Sequence, residues 1–412
     1  MRVPVVEALR SALIMAQFIP LNPVLPARSM LTLPGSTRPR GTKDGLLQGR
    51  QRIMTYSGSA ALCAAARGLK QIDRKQLLAP SYNCGGEIEP FVREGFDVDI
   101  YRVDHTGRVD LSDLESRLQR SRQVVLVTHY FGFATDMEPV RALCRAKDAY
   151  LLEDCAHAFM SSNCDGYLGD TGDLSIFSFK KSLPTPDGGC LVLNNQDIPA
   201  VPPPTRAPFL PVYKKTVKLL MEGLFSKAEA KSRLGYNALQ MAKKAMVAAE
   251  RIVSRSIGRE DAQIDTPDIN SLDFDSSVLD FQMSRRSLSL LPKIDTRALK
   301  RRRRQNYCYV QHALSDLKCL RPLFDRLPAG TCPLKFPLVT PRDHTKARDI
   351  MHQYPLVYRW WPLFHPSVPW DEFPDSVWLK KHCFVIEIHQ DMETRHLDYL
   401  IDQVLSADKR MR

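Results

Sequence analysis

No two of the ten cysteines stand in a C-x-x-C arrangement, which removes the usual framework of a structural zinc site, so no metal is expected. Most lie inside apolar runs, as buried free thiols do. A reducing cytoplasm is therefore expected in preference to a disulfide scaffold. A long hydrophobic run is also missing. The longest uncharged stretch near the start, 11–26, follows Glu7 and is broken by Pro20, Pro23 and Pro26. It is too short and proline-rich to span a bilayer, and it lacks the clean apolar core and small-residue cleavage site of a signal peptide. Internal repeats and low-complexity tracts are absent as well. Aspartate is missing from residues 205–260, where twelve Lys/Arg face four Glu. With a second cluster at Arg297 and Lys300–Arg304, this accounts for much of the net charge of +12. The excess forms no groove-reading motif, so nucleic acid is not an expected partner. Solvated helix faces are the plain reading; phosphorylated substrates or peripheral contact with an anionic membrane surface are the others.

What is present is a carboxylate and an amine, each delivered by the end of an apolar strand. The strand Ala149–Leu152 runs into Glu153-Asp154-Cys155-Ala156-His157-Ala158, and the strand Leu174–Phe179 runs into Lys180-Lys181. Gly188-Gly189 then let the chain turn back into Cys190–Leu193. Pyridoxal phosphate (PLP) needs this pair: a lysine forms a Schiff base with its aldehyde, and an acid keeps its pyridine nitrogen protonated so that the ring can draw electrons. Upstream, Gly58-Ser59 opens a helix, whose free N–H groups and dipole favour an anion. An ordinary serine cap is the plain reading of that dipeptide taken alone.

With 412 residues, one large domain and a smaller one are expected. Residues 1–54 read as an N-terminal arm, extended over 27–52, where Pro, Gly and Arg are frequent. Residues 55–199 alternate strands (Gln76–Ala79, Val98–Val103, Val124–His129 and the motif strands) with helices (from Gly58, Tyr82–Arg93, Leu111–Gln119, Met137–Lys147). That alternation predicts an α/β domain with a mostly parallel sheet flanked by helices, its ligand at the carboxyl edge. Residues 200–275 form a basic helical insertion, with helices over Val212–Leu224 and Leu239–Val253 and a loop over Glu260–Asp275. Residues 276–412 begin with a long helix, Val278–Leu314, interrupted at Pro292, and continue as a smaller α+β domain.

The order and spacing of five segments over 55–195 resemble the DegT sugar aminotransferase family of fold-type-I PLP enzymes. These are Gly58-Ser59-Ala60-Ala61-Leu62, Ala79-Pro80-Ser81-Tyr82-Asn83, His129-Tyr130-Phe131-Gly132, Glu153–Ala158 and Phe177–Gly189. The resemblance implies PLP as cofactor, with Gly58, Ser59 and Ser178 around its phosphate, Asp154 on the pyridine nitrogen and His157 near the ring hydroxyl. It implies Lys181 as the Schiff-base lysine, counted back from Gly188-Gly189. Lys180 is the rival; neighbours on a strand face opposite sides, so only one reaches the cofactor. The family's ring-stacking aromatic aligns with Cys84, and Tyr82 is the nearby substitute. The family's Asn-Tyr-Arg stretch has no clear counterpart: Phe274-Asp275-Ser276 stands in its place, with Tyr236-Asn237 before it. The spacing from Ser178 to Lys181 is two residues shorter than usual in the family.

The implied activity is a PLP-dependent aminotransferase that moves an amino group, from glutamate in most of the family, to a nucleotide-activated keto sugar in polysaccharide or secondary-metabolite synthesis. The implied assembly is a homodimer with shared active sites, the arm and the basic segment being candidates to cross the interface. In the densest aromatic stretch, Tyr358–Pro366, Arg359 and Trp360 are candidates for the acceptor sugar nucleotide, with small-domain packing as the plain reading. Two alternatives remain: a catalytically silent binding or scaffold protein on the same fold, and a PLP-dependent sugar dehydratase, in which histidine replaces the lysine. Ser178-x-x-Lys181 also fits a penicillin-binding nucleophile motif, but no Lys-Thr-Gly follows it.

Overall fold

Val124 to Val127 are all fully buried, and they alternate between two cores: Val124 and Leu126 in one, Val125 and Val127 in the other. A strand that buries both faces belongs in the middle of a parallel sheet covered on both sides. The computed structural model describes residues 19–25, 47, 49–119, 122–164, 166–231, 274–340, 344–354 and 356–412. Its first half runs β1 (Arg52–Thr55), α1 (Gly58–Gln71), β2 (Gln76–Pro80), α2 (Gly85–Arg93), β3 (Asp97–Tyr101), α3 (Leu111–Arg117), β4 (Gln123–Thr128), α4 (Glu138–Ala146), β5 (Tyr150–Asp154), β6 (Leu174–Ser178), α5 (Phe179–Ser182) and β7 (Gly189–Leu193). The strands form one sheet in the order β1-β7-β6-β5-β4-β2-β3. The pairs from β6 through β3 are parallel, and β7 is antiparallel to both β6 and β1. The expected α/β sheet is thus present.

Small residues set how closely α1 lies on the sheet. Ala60, Ala61, Ala64, Ala65 and Ala66 are all buried on it. The turn back into β7 needs its glycines for two separate reasons. Gly188 has φ +136°, where side chains are strained, and a Cβ on Gly189 would stand 2.2 Å from the Ser57 carbonyl oxygen.

After β7 come α6 (Phe209–Lys231), α7 (Arg285–Leu290), α8 (Thr296–Ala313), β8 (Arg321–Pro322), β9 (Lys335–Val339), α9 (His344–Met351), β10 (Tyr358–Arg359), α10 (Pro374–His382), β11 (Cys383–Glu387) and α11 (Thr394–Met411). Strands β10-β11-β9-β8 form a second, antiparallel sheet. Its inner residues Phe336, Leu338, Val385 and Ile386 share a core with Leu78, Val125, Val127 and Leu151 of the first sheet. Residues 19–25 are stitched to both halves. Leu25 N–H donates to the Leu219 carbonyl of α6 (3.3 Å), and Val24 N–H donates to Asp391 (3.0 Å).

Two sequence expectations need correction. The helix over Val278–Leu314 is interrupted at Pro292 as expected, in the 3-10 turn Leu291–Lys293 that joins α7 and α8, but its first residues, 278–284, are not α-helical. Ser284 and Asp295 each cap a new start, accepting from Ser287 N–H and Ala298 N–H, so the chain restarts and is not merely kinked. The strand expected to reach Phe179 stops at Ser178, and Phe179–Ser182 is a helical turn that carries both lysines. The helix expected over Leu239–Val253, Tyr236-Asn237 and most of the arm 27–52 lie outside the described residues.

Asp408, buried in the last turn of α11, ties the helix to the approach to β8. Its carboxylate accepts from the backbone N–H groups of Lys318 (3.1 Å), Cys319 (2.7 Å) and Leu320 (2.8 Å). Burial pushes this carboxyl up, but the three amides and Arg412 outweigh it and hold it below its ordinary value. A depressed carboxyl stabilises the fold above the unfolded-state pKa and loses that contribution as pH falls through the folded one. Asp408→Ala is therefore expected to lower the unfolding free energy at pH 7 by about 1–3 kcal/mol, because three amides lose their acceptor. In urea melts the gap between variant and wild type should close below about pH 4.

Candidate active site

The carboxyl edges of β2, β4, β5 and β6 meet on one side of the large sheet. Thr128, the last residue of β4, is in register with Asp154, the last residue of β5. Asp154 is buried, and Ala156 N–H donates to its Oδ1 at 2.7 Å. Burial pushes its carboxyl up; the Lys181 ammonium opposes that shift. A buried carboxylate with so few donors favours a cationic partner.

Lys181 reaches this edge from α5, with Nζ 3.0 Å from His157 Nε2. Burial, then Lys181 and Lys335, hold His157 well below its usual pKa, so the ring is neutral. The helical turn separates the two lysines by about 100°. Lys181 faces His157 and also acts on Asp154, whereas Lys180 lies beside Lys215, with Asp275 and Asp187 as its acidic neighbours.

The start of α1 lies next to the end of β6. Ser57, not Ser59, is the N-cap: its Oγ accepts from Ala60 N–H at 3.1 Å. The first helical backbone bond is Ala61 N–H to the Ser57 carbonyl, so the Gly58 and Ser59 amides precede the ladder. A Cβ on Gly58 would stand 3.2 Å from Ser178 Cβ, and one on Gly86 would stand 3.1 Å from Ser59 Oγ. Both glycines keep the space around two hydroxyls clear. Anion donors, a carboxylate and a lysine along one sheet edge match the phosphate, pyridine nitrogen and aldehyde of PLP. The residues present fit that group.

Cys84 caps α2 at the edge of the site, its thiol pushed up to about 12 by burial and by Glu87. Tyr82 is buried against Tyr130 (5.2 Å between ring centroids) and Trp361 (5.4 Å). The aromatic stretch divides. Trp360 and Trp361 pack on His157, with ring centroids 5.4 and 5.1 Å away. Arg359 lies on β10, its charge disfavoured by burial and by Arg348, and Phe364 packs edge-on against Trp370 (5.0 Å).

Three participants escape a reading of the sequence. Glu87 of α2 is 3% exposed, with Oε1 accepting from Thr128 Oγ1 (2.9 Å) and Oε2 from Cys84 N–H (2.9 Å). Its S/T-x-x-E-like spacing from Cys84 was the available signal, blurred by a cysteine in the cap position. Lys380 of α10 is fully buried and donates to the carbonyls of Asn83 (2.7 Å), Trp361 (3.2 Å) and Leu363 (2.7 Å). It pins the tryptophan loop to the end of β2. Trp361 itself has φ +49°, a strained conformation for an aromatic residue. Nothing in local sequence marks Lys380 or the positive φ of Trp361.

Among the described residues, one group of His, Cys and carboxylate side chains, His129, Glu153 and Cys155, is close enough to share an ion. Two of its three members are already engaged with other partners. His129 contacts Glu153 (2.9 Å) and accepts from Thr135 N–H (3.1 Å), and Glu153 also accepts from the amides of Gly169, Thr171 and Gly172.

Residues 46–201 match the DegT/DnrJ/EryC1/StrS aminotransferase family. Over 145 residues the chain is 32% identical to GDP-perosamine synthase of Escherichia coli O157:H7, covering 34% of this chain and 40% of that one. It is 23% identical over 153 residues to UDP-4-amino-4,6-dideoxy-N-acetyl-beta-L-altrosamine transaminase of Helicobacter pylori, covering 36% and 41%. The chain thus spans about two-fifths of the curated relatives it matches. The fold likeness extends much further. Helicobacter pylori PseC, an aminotransferase of pseudaminic acid biosynthesis, superposes with a TM-score of 0.65 at 15% identity, over 95% of this chain and 99% of that one. A putative sugar aminotransferase of Streptococcus pneumoniae in its PMP form gives 0.65 at 14% identity, over 96% and 100%. The chain therefore shares its fold with solved sugar aminotransferases, and its residues 46–201 match the model of the DegT/DnrJ/EryC1/StrS aminotransferase family.

Proposed function

We propose that this chain is a PLP-dependent aminotransferase acting on a nucleotide-activated keto sugar, with glutamate as amino donor. The observation that carries the reading is the convergence of Lys181, His157 and Asp154 at one sheet edge, beside the amides of α1 and the hydroxyls of Ser59 and Ser178. The names of the relatives, a GDP-sugar synthase and a UDP-sugar transaminase, support a sugar nucleotide as acceptor. The PMP form of one structural neighbour supports the cofactor.

In this reading, Gly58, Ser59 and Ser178 hold the cofactor phosphate, and Asp154 holds a proton on the ring nitrogen. When bound, PLP supplies a carbonyl that takes up the amino group and a ring that draws electrons from the substrate carbon. Lys181 provides the amine that carries the cofactor and, once free, moves a proton at the substrate carbon. His157, neutral and 3.0 Å from that amine, orients it without adding a competing charge. Cys84 and Tyr82 border the ring position, though neither offers an open aromatic face there. Trp360 and Trp361 close the small-sheet side against water. Arg359, with Arg348 beside it, would meet the diphosphate of the acceptor. The working unit is a cytoplasmic homodimer with shared sites. Among the described residues, no helix is long and apolar enough to cross a membrane.

PLP reduced onto the protein with borohydride and located by mass spectrometry is expected on Lys181. Lys181→Ala should abolish the label and Lys180→Ala should keep it; the reverse result moves the role to Lys180. Asp154→Asn preserves shape and removes the charge. It is expected to retain the cofactor while transamination falls by on the order of a hundredfold, and near-normal turnover would remove Asp154 from the ring nitrogen.

A further inference from the structure

Glu87 is more than its capping position requires. A glutamine could meet both contacts, its oxygen accepting from Cys84 N–H and its amide nitrogen donating to Thr128 Oγ1, without placing a second acid in a buried site. The acid that Glu87 adds stands next to Asp154. Thr128, to which Glu87 is bonded, is the register partner of Asp154, so the two buried carboxyl groups flank the same strand end. Two carboxyl groups sharing one buried site do not both ionise near neutral pH.

The groups facing Glu87 come from several elements or their flanks. Asp154 stands at the end of β5 and Lys181 on α5. Lys380 approaches from α10, and the Cys84 thiol caps the helix that carries Glu87. The phenols of Tyr82, Tyr101 and Tyr130 complete the surroundings. His129 acts on Asp154 from the end of β4. Burial first and Asp154 second push Glu87 up to about 8. Asp154 is raised too, but Lys181 and the Ala156 amide oppose that shift, so the proton stays on Glu87.

We propose that Glu87 is a positioning residue for the cofactor: as a carboxylic acid it shares a proton with Asp154 and sets how strongly Asp154 holds the proton of the PLP ring nitrogen. The proposal rests on the PLP reading above, but its core, the shared proton, is a property of the chain alone. A protonated Glu87 donates to Asp154, fixes its orientation and draws off part of its negative charge. Once Glu87 ionises, the pair carries two charges and grips a cationic ring more tightly. The site would therefore change its hold on the ring proton within the range where Glu87 titrates.

The test has two arms on the full chain. In the first, without added PLP, side-chain carboxyl carbons of 13C-labelled glutamate are followed by NMR against pH, and Glu87 is assigned by the signal that Glu87→Gln removes. Its midpoint is expected well above the ordinary carboxylate range of about 4.3. In Asp154→Asn that midpoint should fall by about one pH unit or more, since a charged neighbour is gone. A Glu87 that titrates in the ordinary range, or one unmoved by Asp154→Asn, overturns the proposal. In the second arm, PLP is added and the cofactor absorbance is recorded against pH. Wild type should show a step that Glu87→Gln lacks, although the variant still carries PLP on Lys181; a step that survives overturns the cofactor role. Failure of wild type to take up PLP would defeat the functional reading instead, leaving the shared proton to be judged by the first arm.

Discussion

The site depends on the cost of burying charge at the carboxyl edge of a parallel sheet. Asp154 sits where water cannot solvate it, and one backbone amide at 2.7 Å does not replace the lost hydration. Its ionised form is favoured chiefly by Lys181, which is itself placed by a single helical turn after β6. Glu87 adds a second buried acid, raised by burial and by Asp154. The two carboxyl groups thus depend on each other, with Lys181 favouring the ionised form of Asp154. Such mutual dependence suits a site that must switch protonation as a cationic ring enters.

The second sheet contributes constraint more than charge. Lys380 reaches three carbonyls across the gap and fixes the Trp360-Trp361 loop against the end of β2, leaving Trp361 with positive φ. A buried ammonium bonded only to carbonyl oxygens is pushed down, here to about 8, by the same burial that raises Glu87. Both tryptophans then lie on His157, whose Nε2 is 3.0 Å from Lys181 Nζ. The strain at Trp361 is held by this anchoring and is consistent with a loop shaped for function.

Much of this was legible in the sequence because it is written locally. The alternation from Gly58 to Leu193, the glycine turn at Gly188-Gly189 and the placing of Asp154 and Lys181 after strands all follow from short-range patterns. The errors arose where one residue overrode a pattern. The helical run expected from Val278 starts only after the cap Ser284, and Phe179, apolar enough for a strand, begins a helical turn instead. What could not be read is what distant elements bring together. Glu87 meets Thr128 at the end of β4, and Lys380 meets Asn83 from almost the other end of the chain. The aromatic stretch could be found from composition, but not which of its rings turn inward: Trp360 and Trp361 do, while Phe364 packs on Trp370.

The central claim is that this sheet edge binds PLP between Lys181 and Asp154. A crystal structure of the full chain grown with PLP tests it most directly. The account predicts cofactor density continuous with Lys181 Nζ, its ring nitrogen within hydrogen-bond distance of Asp154, and its phosphate at the start of α1 beside Ser178. Density joined to Lys180, or a ring nitrogen facing away from Asp154, would contradict it.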